Sequence, residues 1–212
     1  MYRITAALYF PPVETASPEG ILAFGGDLST ERLLLAYRSG IFPWFEEDDP
    51  ILWWAPDPRM VLFPDEFTVS KSMRNIINRG IFKVTFNQNF EEVIANCQKI
   101  KRDGQHGTWI TDEMIMAYTK LHELGYAQSV EVWQDDTLVG GLYGVDMGQV
   151  FCGESMFSKV PNASKMAFIS LVNRLKAKGY KLLDCQVYNE HLDSLGCREI
   201  SREDFMLILK GK

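Results

Sequence analysis

The chain has no run of the roughly 18 to 20 apolar residues that a membrane span needs. Its first apolar run, Ile4 to Phe10, follows a single Arg and stops at Pro11-Pro12, too short for a secretory leader, so a cytoplasmic protein is expected. No CxxC pair occurs: Cys97, Cys152, Cys185 and Cys197 are isolated and read as free thiols in apolar contexts. The three histidines, His106, His122 and His191, are too scattered for a zinc site. Positive charge is scarce, with 22 Lys and Arg against 28 Asp and Glu, a net charge of −6. That balance argues against a nucleic-acid binder that uses its whole surface. It leaves room for a local basic groove, because charges act over a Debye length of about 10 Å. Repeats and low-complexity segments are absent as well.

What is present fits an ordinary folded protein of 212 residues, 46% hydrophobic and 24% charged, large enough to bury a substantial core. The first sixty residues are rich in Pro, Gly and aromatics, with one clear helix from about Thr30 to Ser39, capped by Ser29 or Asp27 and stopped by Gly40. From Arg59 onward the patterning is regular. Met60 to Phe63 reads as a strand and Lys71 to Arg79 as a helix; Phe82 to Phe86 is a strand, and Phe90, Val93, Ile94 and Cys97 keep helical spacing. A helix over Thr111 to Leu124 precedes three strands, Ser129 to Trp133, Leu138 to Val145 and Gln149 to Met156, separated by Asp135-Asp136 and Met147-Gly148. A long helix, about Ala163 to Lys178, is expected to be capped by Asn162; strand Lys181 to Val187 and two short helices complete the chain. The order implies an α/β (α+β) fold. A small N-terminal domain over 1–62 precedes an acetyltransferase-like, GNAT-type mixed-sheet domain over 63–212.

Two strand segments carry polar groups where a core strand would carry aliphatics: Gly153 to Ser158 (GESMFS) and Asp184-Cys185-Gln186. Period-2 alternation sets Leu183, Cys185 and Val187 on one face and Asp184 with Gln186 on the other. Glu154 is a charge among apolar residues and must be paired or wet. Gln186 is no base, since an amide is not measurably basic. Its carbonyl can accept a hydrogen bond from an attacking amine while its NH₂ donates to Asp184. Trp53, Trp54, Trp109, Phe151 and Met156 are candidates for an apolar pocket, although each alone is compatible with core packing. Basic residues gather at Arg59, Lys71, Arg74 and Arg79, at Lys99, Lys101 and Arg102, and along Lys165, Arg174, Lys176 and Lys178. Solvated helix faces account for most of them, and a phosphate-tracking groove is the sharper alternative. An acyl-CoA enzyme of this fold needs a Gly-rich turn to cradle pyrophosphate at a helix start. Here the link is Ser158-Lys159-Val160-Pro161-Asn162-Ala163-Ser164, which disfavours a CoA donor. A non-catalytic RNA- or N-degron-binding adaptor is the alternative of another class.

Over nearly its whole length the chain resembles the bacterial leucyl/phenylalanyl-tRNA–protein transferases. The motifs that carry the resemblance are GGDL (Gly25 to Leu28), AYRSGIFPWF (Ala36 to Phe45), ILWWAPDPR (Ile51 to Arg59), GTWIT (Gly107 to Thr111) and LVGGLYG (Leu138 to Gly144), followed by FCGESMFS (Phe151 to Ser158), ASK (Ala163 to Lys165), DCQ (Asp184 to Gln186) and HLDSLG (His191 to Gly196). The resemblance implies transfer of Leu or Phe, and more weakly Met, from aminoacyl-tRNA to the α-amino group of proteins that start with Lys or Arg, which marks them for degradation. It implies Leu-tRNA and Phe-tRNA as partners through the 3′ aminoacyl-adenosine end, a monomer, no membrane association, and no cofactor, metal or ATP. By motif, Asp184 and Gln186 match the pair that positions the amine, with Glu154 beside them as a third catalytic residue. Trp53, Trp54, Trp109, Phe151 and Met156 match parts of the donor pocket. Departures from the family pattern are Ala55 for Ser, Gln128 for His and Cys197 for Ala.

Overall fold

The computed structural model describes residues 1–100 and 109–211. β1 (Tyr2–Ile4) and β2 (Ile21–Gly25) run parallel, α1 (Thr30–Arg38) follows, and β3 (Phe42–Pro43) and β4 (Leu52–Trp54) complete a four-stranded sheet in the order β1-β2-β4-β3. Arg32 of α1 is buried, and its guanidinium donates to the carbonyls of Thr5 and Ala7 and to Asp27. This ties the N-terminal segment to the helix and satisfies carbonyls that no strand pairs.

β5 (Arg59–Leu62), α2 (Lys71–Asn78), β6 (Lys83–Phe86), α3 (Phe90–Lys99) and α4 (Asp112–Glu123) come next. Then follow β7 (Ala127–Gln134), β8 (Thr137–Asp146), β9 (Val150–Ser158), α5 (Ala163–Ala177), β10 (Leu182–Gln186), α6 (Glu190–Asp193), β11 (Arg198–Ile200) and α7 (Arg202–Leu209). Strands β5 to β11 form one mixed sheet, ordered β11-β5-β10-β9-β8-β7-β6. Its centre is the expected acyltransferase-like pattern: antiparallel β7-β8-β9, a crossover through α5, and β10 returning parallel to β9. β5 belongs to this larger sheet, so the chain passes from one sheet to the other between Trp54 and Arg59.

Alternation along the strands feeds two apolar clusters, one on each face. Met60, Leu62, Phe151 and Leu183 pack with Ala167, Phe168, Leu171 and Val172 of α5. Val61, Val145, Cys152 and Leu182 pack with α1, α3 and α4, and this second cluster extends into the N-terminal sheet. Local signals set the element ends. Ser70 Oγ accepts from Met73 N–H and Thr111 Oγ1 from Met114 N–H, capping α2 and α4. The β7-β8 turn places Asp135 and Asp136 at φ 47° and 60°, the left-handed pair a tight hairpin needs.

One detail differs from expectation. Asn162 sits in a left-handed conformation and makes no side-chain cap; Ser158 Oγ takes that role by accepting from Ser164 N–H. The start of α5 lies so close to β8 that a Cβ at Gly140 would come 2.6 Å from Ala163 Cβ. Gly140, the first of the paired glycines of LVGGLYG, therefore lets this helix seat on the sheet.

Candidate active site

Two β-bulges and the end of one strand pairing build the site. On β9, Gly153 faces Gly144 and Ser155 faces Tyr143, which leaves Glu154 as the unpaired extra residue. On β10, Asp184 faces Val61 and Gln186 faces Met60, so Cys185 is extra there. The parallel ladder between β9 and β10 ends at Asp184 opposite Cys152, and beyond it the strands part. Bulges re-aim side chains in this way, and they recur beside active sites. A cleft of about 440 Å³ opens between the parted strands, lined by Trp44, Trp109, Met156, Phe168, Gln186 and Glu154 among others. That is ample for a small ligand in a largely apolar pocket.

Gln186 ends β10 at φ 68°, a strained conformation for a residue with a side chain. Val187 N–H closes a three-residue turn onto Cys185 O at 2.9 Å, and Gln186 N–H donates to Asp184 Oδ1 at 2.9 Å. Asp184 is itself held by a bidentate ion pair, with Arg59 Nε on Oδ1 and Nη2 on Oδ2, both at 2.8 Å. The pair is almost completely buried, with side chains 3% and 1% exposed. Arg59 also donates to Gly40 O at 3.2 Å and lies over the rings of Phe42 and Phe205, 4.7 Å from each centroid. Arg59 is thus no member of a surface basic patch. It locks Asp184, and Asp184 locks the turn that aims Gln186.

The alternation read from sequence is altered by the β10 bulge. Leu183, Cys185 and Gln186 all reach the cleft, while Asp184 lies behind it. The Gln186 amide donates to Glu154 Oε1 at 2.9 Å, so its NH₂ goes to Glu154 and not to Asp184 as expected. Its own Oε1 makes no hydrogen bond to a described residue.

Glu154 Oε1 accepts from Tyr37 OH at 2.8 Å, its Oε2 lies 3.2 Å from Tyr118 OH, and the two hydroxyls also bond to each other. Both tyrosines are buried, and burial pushes their hydroxyls well above the usual tyrosine value, so both stay protonated. The three contacts of this ring need three protons, and the tyrosines supply two. With Glu154 protonated the ring is complete: Tyr37 donates to Oε1, Tyr118 to Tyr37, and the carboxylic acid to Tyr118. Burial, with the Asp184 charge adding to it, raises the Glu154 carboxyl to about 8, against the hydrogen bonds from Tyr37, Tyr118 and Gln186. Neither tyrosine stands out in the sequence as polar, since each occupies a core position of its helix; the i, i+3 and i, i+4 apolar stripe conceals a buried hydroxyl.

The aromatic candidates divide. Trp109 and Met156 line the cleft. Trp53 does not: it is fully buried in the N-terminal sheet, with Nε1 donating to Gly25 O and its ring edge-on to Phe10. Trp54 stands one layer back, donating to Trp44 O at 2.6 Å, with its ring 5.2 Å from that of Trp44. Phe151 is buried under Gly144 on the α5 side of the sheet, where a Cβ would come 2.5 Å from its ring. The cleft-lining tryptophan from the first segment is Trp44, in the FPWF run. Of the GTWIT motif, Gly107 and Thr108 lie outside the described residues, as do Lys101 and Arg102 of the second basic group. Among the described residues no group of three or more His, Cys, Asp or Glu side chains could hold a metal ion.

An apolar cleft where a mixed sheet parts, floored by a buried carboxyl and by an amide held at a fixed angle, is an arrangement suited to acyl transfer. The family model described as leucyl/phenylalanyl-tRNA protein transferase matches residues 61–210, and that of its N-terminal domain matches residues 26–57. Relatives bearing the name leucyl/phenylalanyl-tRNA–protein transferase include one from Flavobacterium johnsoniae, 70% identical over 212 residues and covering all of both chains. One from Flavobacterium psychrophilum is 68% identical over 99% of this chain and 100% of its own, and one from Syntrophobacter fumaroxidans 53% identical over 99% and 89%. The chain belongs to the leucyl/phenylalanyl-tRNA protein transferase family. It is an aminoacyltransferase that acts on proteins.

Proposed function

We propose that the enzyme moves Leu or Phe, and Met less well, from the 3′ end of its tRNA to the α-amino group of proteins that begin with Lys or Arg, creating an N-degron. The observation that carries this reading is the Gln186–Glu154 contact at the floor of an apolar cleft. The donor side chain fits among Trp44, Trp109, Met156 and Phe168. Such a pocket sorts side chains by shape at only about 1 to 3 kcal/mol per methylene, so rejection of Ile and Val is partial.

An aminoacyl ester is already activated, and the task is to hold it against the amine and stabilise the tetrahedral intermediate. Gln186 Oε1 accepts an N–H of the incoming amine while Nε2 stays on Glu154. As the N–C bond forms and the ester C–O bond breaks, the ionised Glu154 takes the amine proton and returns it to the departing ribose oxygen. A carboxyl near 8 matches an α-amino group with a pKa of about 7.7 to 8.0. Asp184 and Arg59 act from behind the cleft as positioning residues. Glu154 is also the only Asp or Glu side chain on the cleft wall among the described residues, so it is the group that meets the cationic acceptor.

The deciding experiment is transfer of labelled Leu from Leu-tRNA to peptides that start with Lys, Arg, Asp or Glu. Product on the first two alone is expected. Binding of tRNA or peptide without turnover would instead make this protein an adaptor.

A further inference from the structure

The floor of the cleft can hold an ester and an amine, but the donor ester sits at the end of a single strand of RNA that must leave the cleft over its rim. Tyr188 and His191, which the transfer chemistry does not use, both line the cleft, and Lys165 stands on the helix that supplies Phe168 to its wall. Tyr188 lies two residues past Gln186, lines the cleft and is 55% exposed, and its hydroxyl makes no hydrogen bond to a described residue. A half-exposed aromatic ring on the wall of a cleft can serve as a stacking platform. His191, exposed on α6, lines the same rim. Lys165 stands on α5 one turn before Phe168, at the i, i+3 spacing that puts both on one face of the helix, and Phe168 lines the cleft. Lys165 makes no ion pair with a described carboxylate; burial lowers the His191 imidazole's affinity for a proton, and the Lys165 charge lowers it further. A free cation beside an aromatic platform is the pairing that non-sequence-specific single-strand binders use. Glu190 and Asp193, exposed on the same short helix, reduce the local positive field, so the stack should matter more than the charge.

We propose that Tyr188, with Lys165 and His191, forms a rim subsite that stacks the nucleotide preceding the terminal aminoacyl-adenosine of the tRNA and neutralises its phosphate. The inference rests on the aminoacyl-tRNA reading above. It adds a site for a second nucleotide outside the cleft that takes the ester.

The test compares two donors: Leu-tRNA, which reaches the rim, and leucyl-adenosine, which carries neither a second base nor a phosphodiester. For Tyr188→Ala the preference for Leu-tRNA over leucyl-adenosine, measured as the ratio of kcat/KM, is expected to fall about 5- to 150-fold, the worth of one base on an aromatic ring. Tyr188→Phe should restore it, because the stack needs the ring and not the hydroxyl. For Lys165→Gln the salt dependence of Leu-tRNA binding should weaken by about 0.7 in the slope of log K against log salt, one phosphate's share for a single strand. If wild-type enzyme used neither donor, the transfer reading itself would fail. If it used both and Tyr188→Ala left their ratio unchanged, the rim subsite would be refuted with the transfer reading intact. A rise in the acceptor-peptide KM in place of a changed donor ratio would also overturn it, giving Tyr188 to the acceptor.

Discussion

Replacing Glu154 with Gln tests the proton count of the floor. The amide is isosteric with the protonated acid and can complete the same ring: its oxygen accepts from Tyr37 and Gln186, and its NH₂ donates to Tyr118. It cannot ionise. In the wild type the fold holds the acid protonated, with its carboxyl raised from 4.5 to about 8. A raised acid makes the native state bind more protons than the unfolded chain between those values, so stability falls as pH rises through that window and levels off above it. At about 1.4 kcal/mol per pH unit, the loss between pH 5 and pH 9 comes to about 4 kcal/mol from this group alone. Urea unfolding of both proteins at each pH isolates it, because every other titrating group is shared. The stability difference should move by about 4 kcal/mol in favour of Glu154→Gln as pH rises from 5 to 9. A difference that stayed constant within about 0.5 kcal/mol would refute the ring. In single-turnover transfer the same substitution should cost about 10²- to 10⁴-fold, the usual reach of a general base. It should also lower the slope of log rate against pH below 7.5 from about 2, for carboxyl and amine together, to about 1, for the amine alone. A variant whose Lys/Arg preference was unchanged would argue against Glu154 as the group that meets the acceptor.

Five further substitutions, at Gln186, Arg59, Trp44 and Trp53, separate placement from contact. Gln186→Ala and Gln186→Gly should both lose transfer by more than about 100-fold with Leu-tRNA binding retained, but the glycine variant should melt higher, since a residue with a Cβ pays about 1 to 2 kcal/mol at φ 68° and glycine does not. Normal single-turnover rates in either would end the assignment of the amide. Arg59→Met leaves a buried carboxylate without its cation and should cost about 3 to 5 kcal/mol in urea unfolding, with kcat falling more than the KM for either substrate; an unchanged kcat would mean that Asp184 aims Gln186 without help. Trp44→Ala should raise the KM for Leu-tRNA while Trp53→Phe lowers the melting temperature and spares transfer, and the reverse pattern would return the donor pocket to Trp53.

Much of the larger sheet was legible in the sequence because its segments obey one period at a time. Asp135-Asp136 marked a hairpin, the run from Ala163 marked a helix, and the strand-helix-strand order marked the parallel return. The site was legible as composition but not as geometry, for one physical reason. Alternation assumes an uninterrupted ladder, and both polar segments contain an extra residue, Glu154 in one and Cys185 in the other. An extra residue resets the phase, so Phe151 and Phe157 fall on opposite faces although six residues apart, and Gln186 leaves the face that period 2 assigns to it. The ion pair was hidden differently. Nothing in Pro58-Arg59-Met60 distinguishes a buried guanidinium from a solvated one until its partner 125 residues away is brought beside it.

The two acids of the site therefore divide the electrostatic work, and the division follows from where charge is tolerated. Asp184 can remain buried because a bidentate guanidinium and a backbone N–H occupy its oxygens, and it does not line the cleft. Burial raises the carboxyl of Glu154 and the Asp184 charge adds to it at a distance, while the hydrogen-bonding neighbours of Glu154 among the described residues are hydroxyls and an amide. Exchanging the environments would undo both functions, since a carboxylate paired with arginine is too weak a base for an amine and an unpaired one is a poor anchor for a strained turn. The Gln186 amide links the two, with its backbone N–H on the fixed acid and its side chain on the titrating one. In the proposed transfer that arrangement suits the joining of an amine to an ester without a strong base, because the backbone contact to Asp184 holds Gln186 independently of its side-chain contact to Glu154.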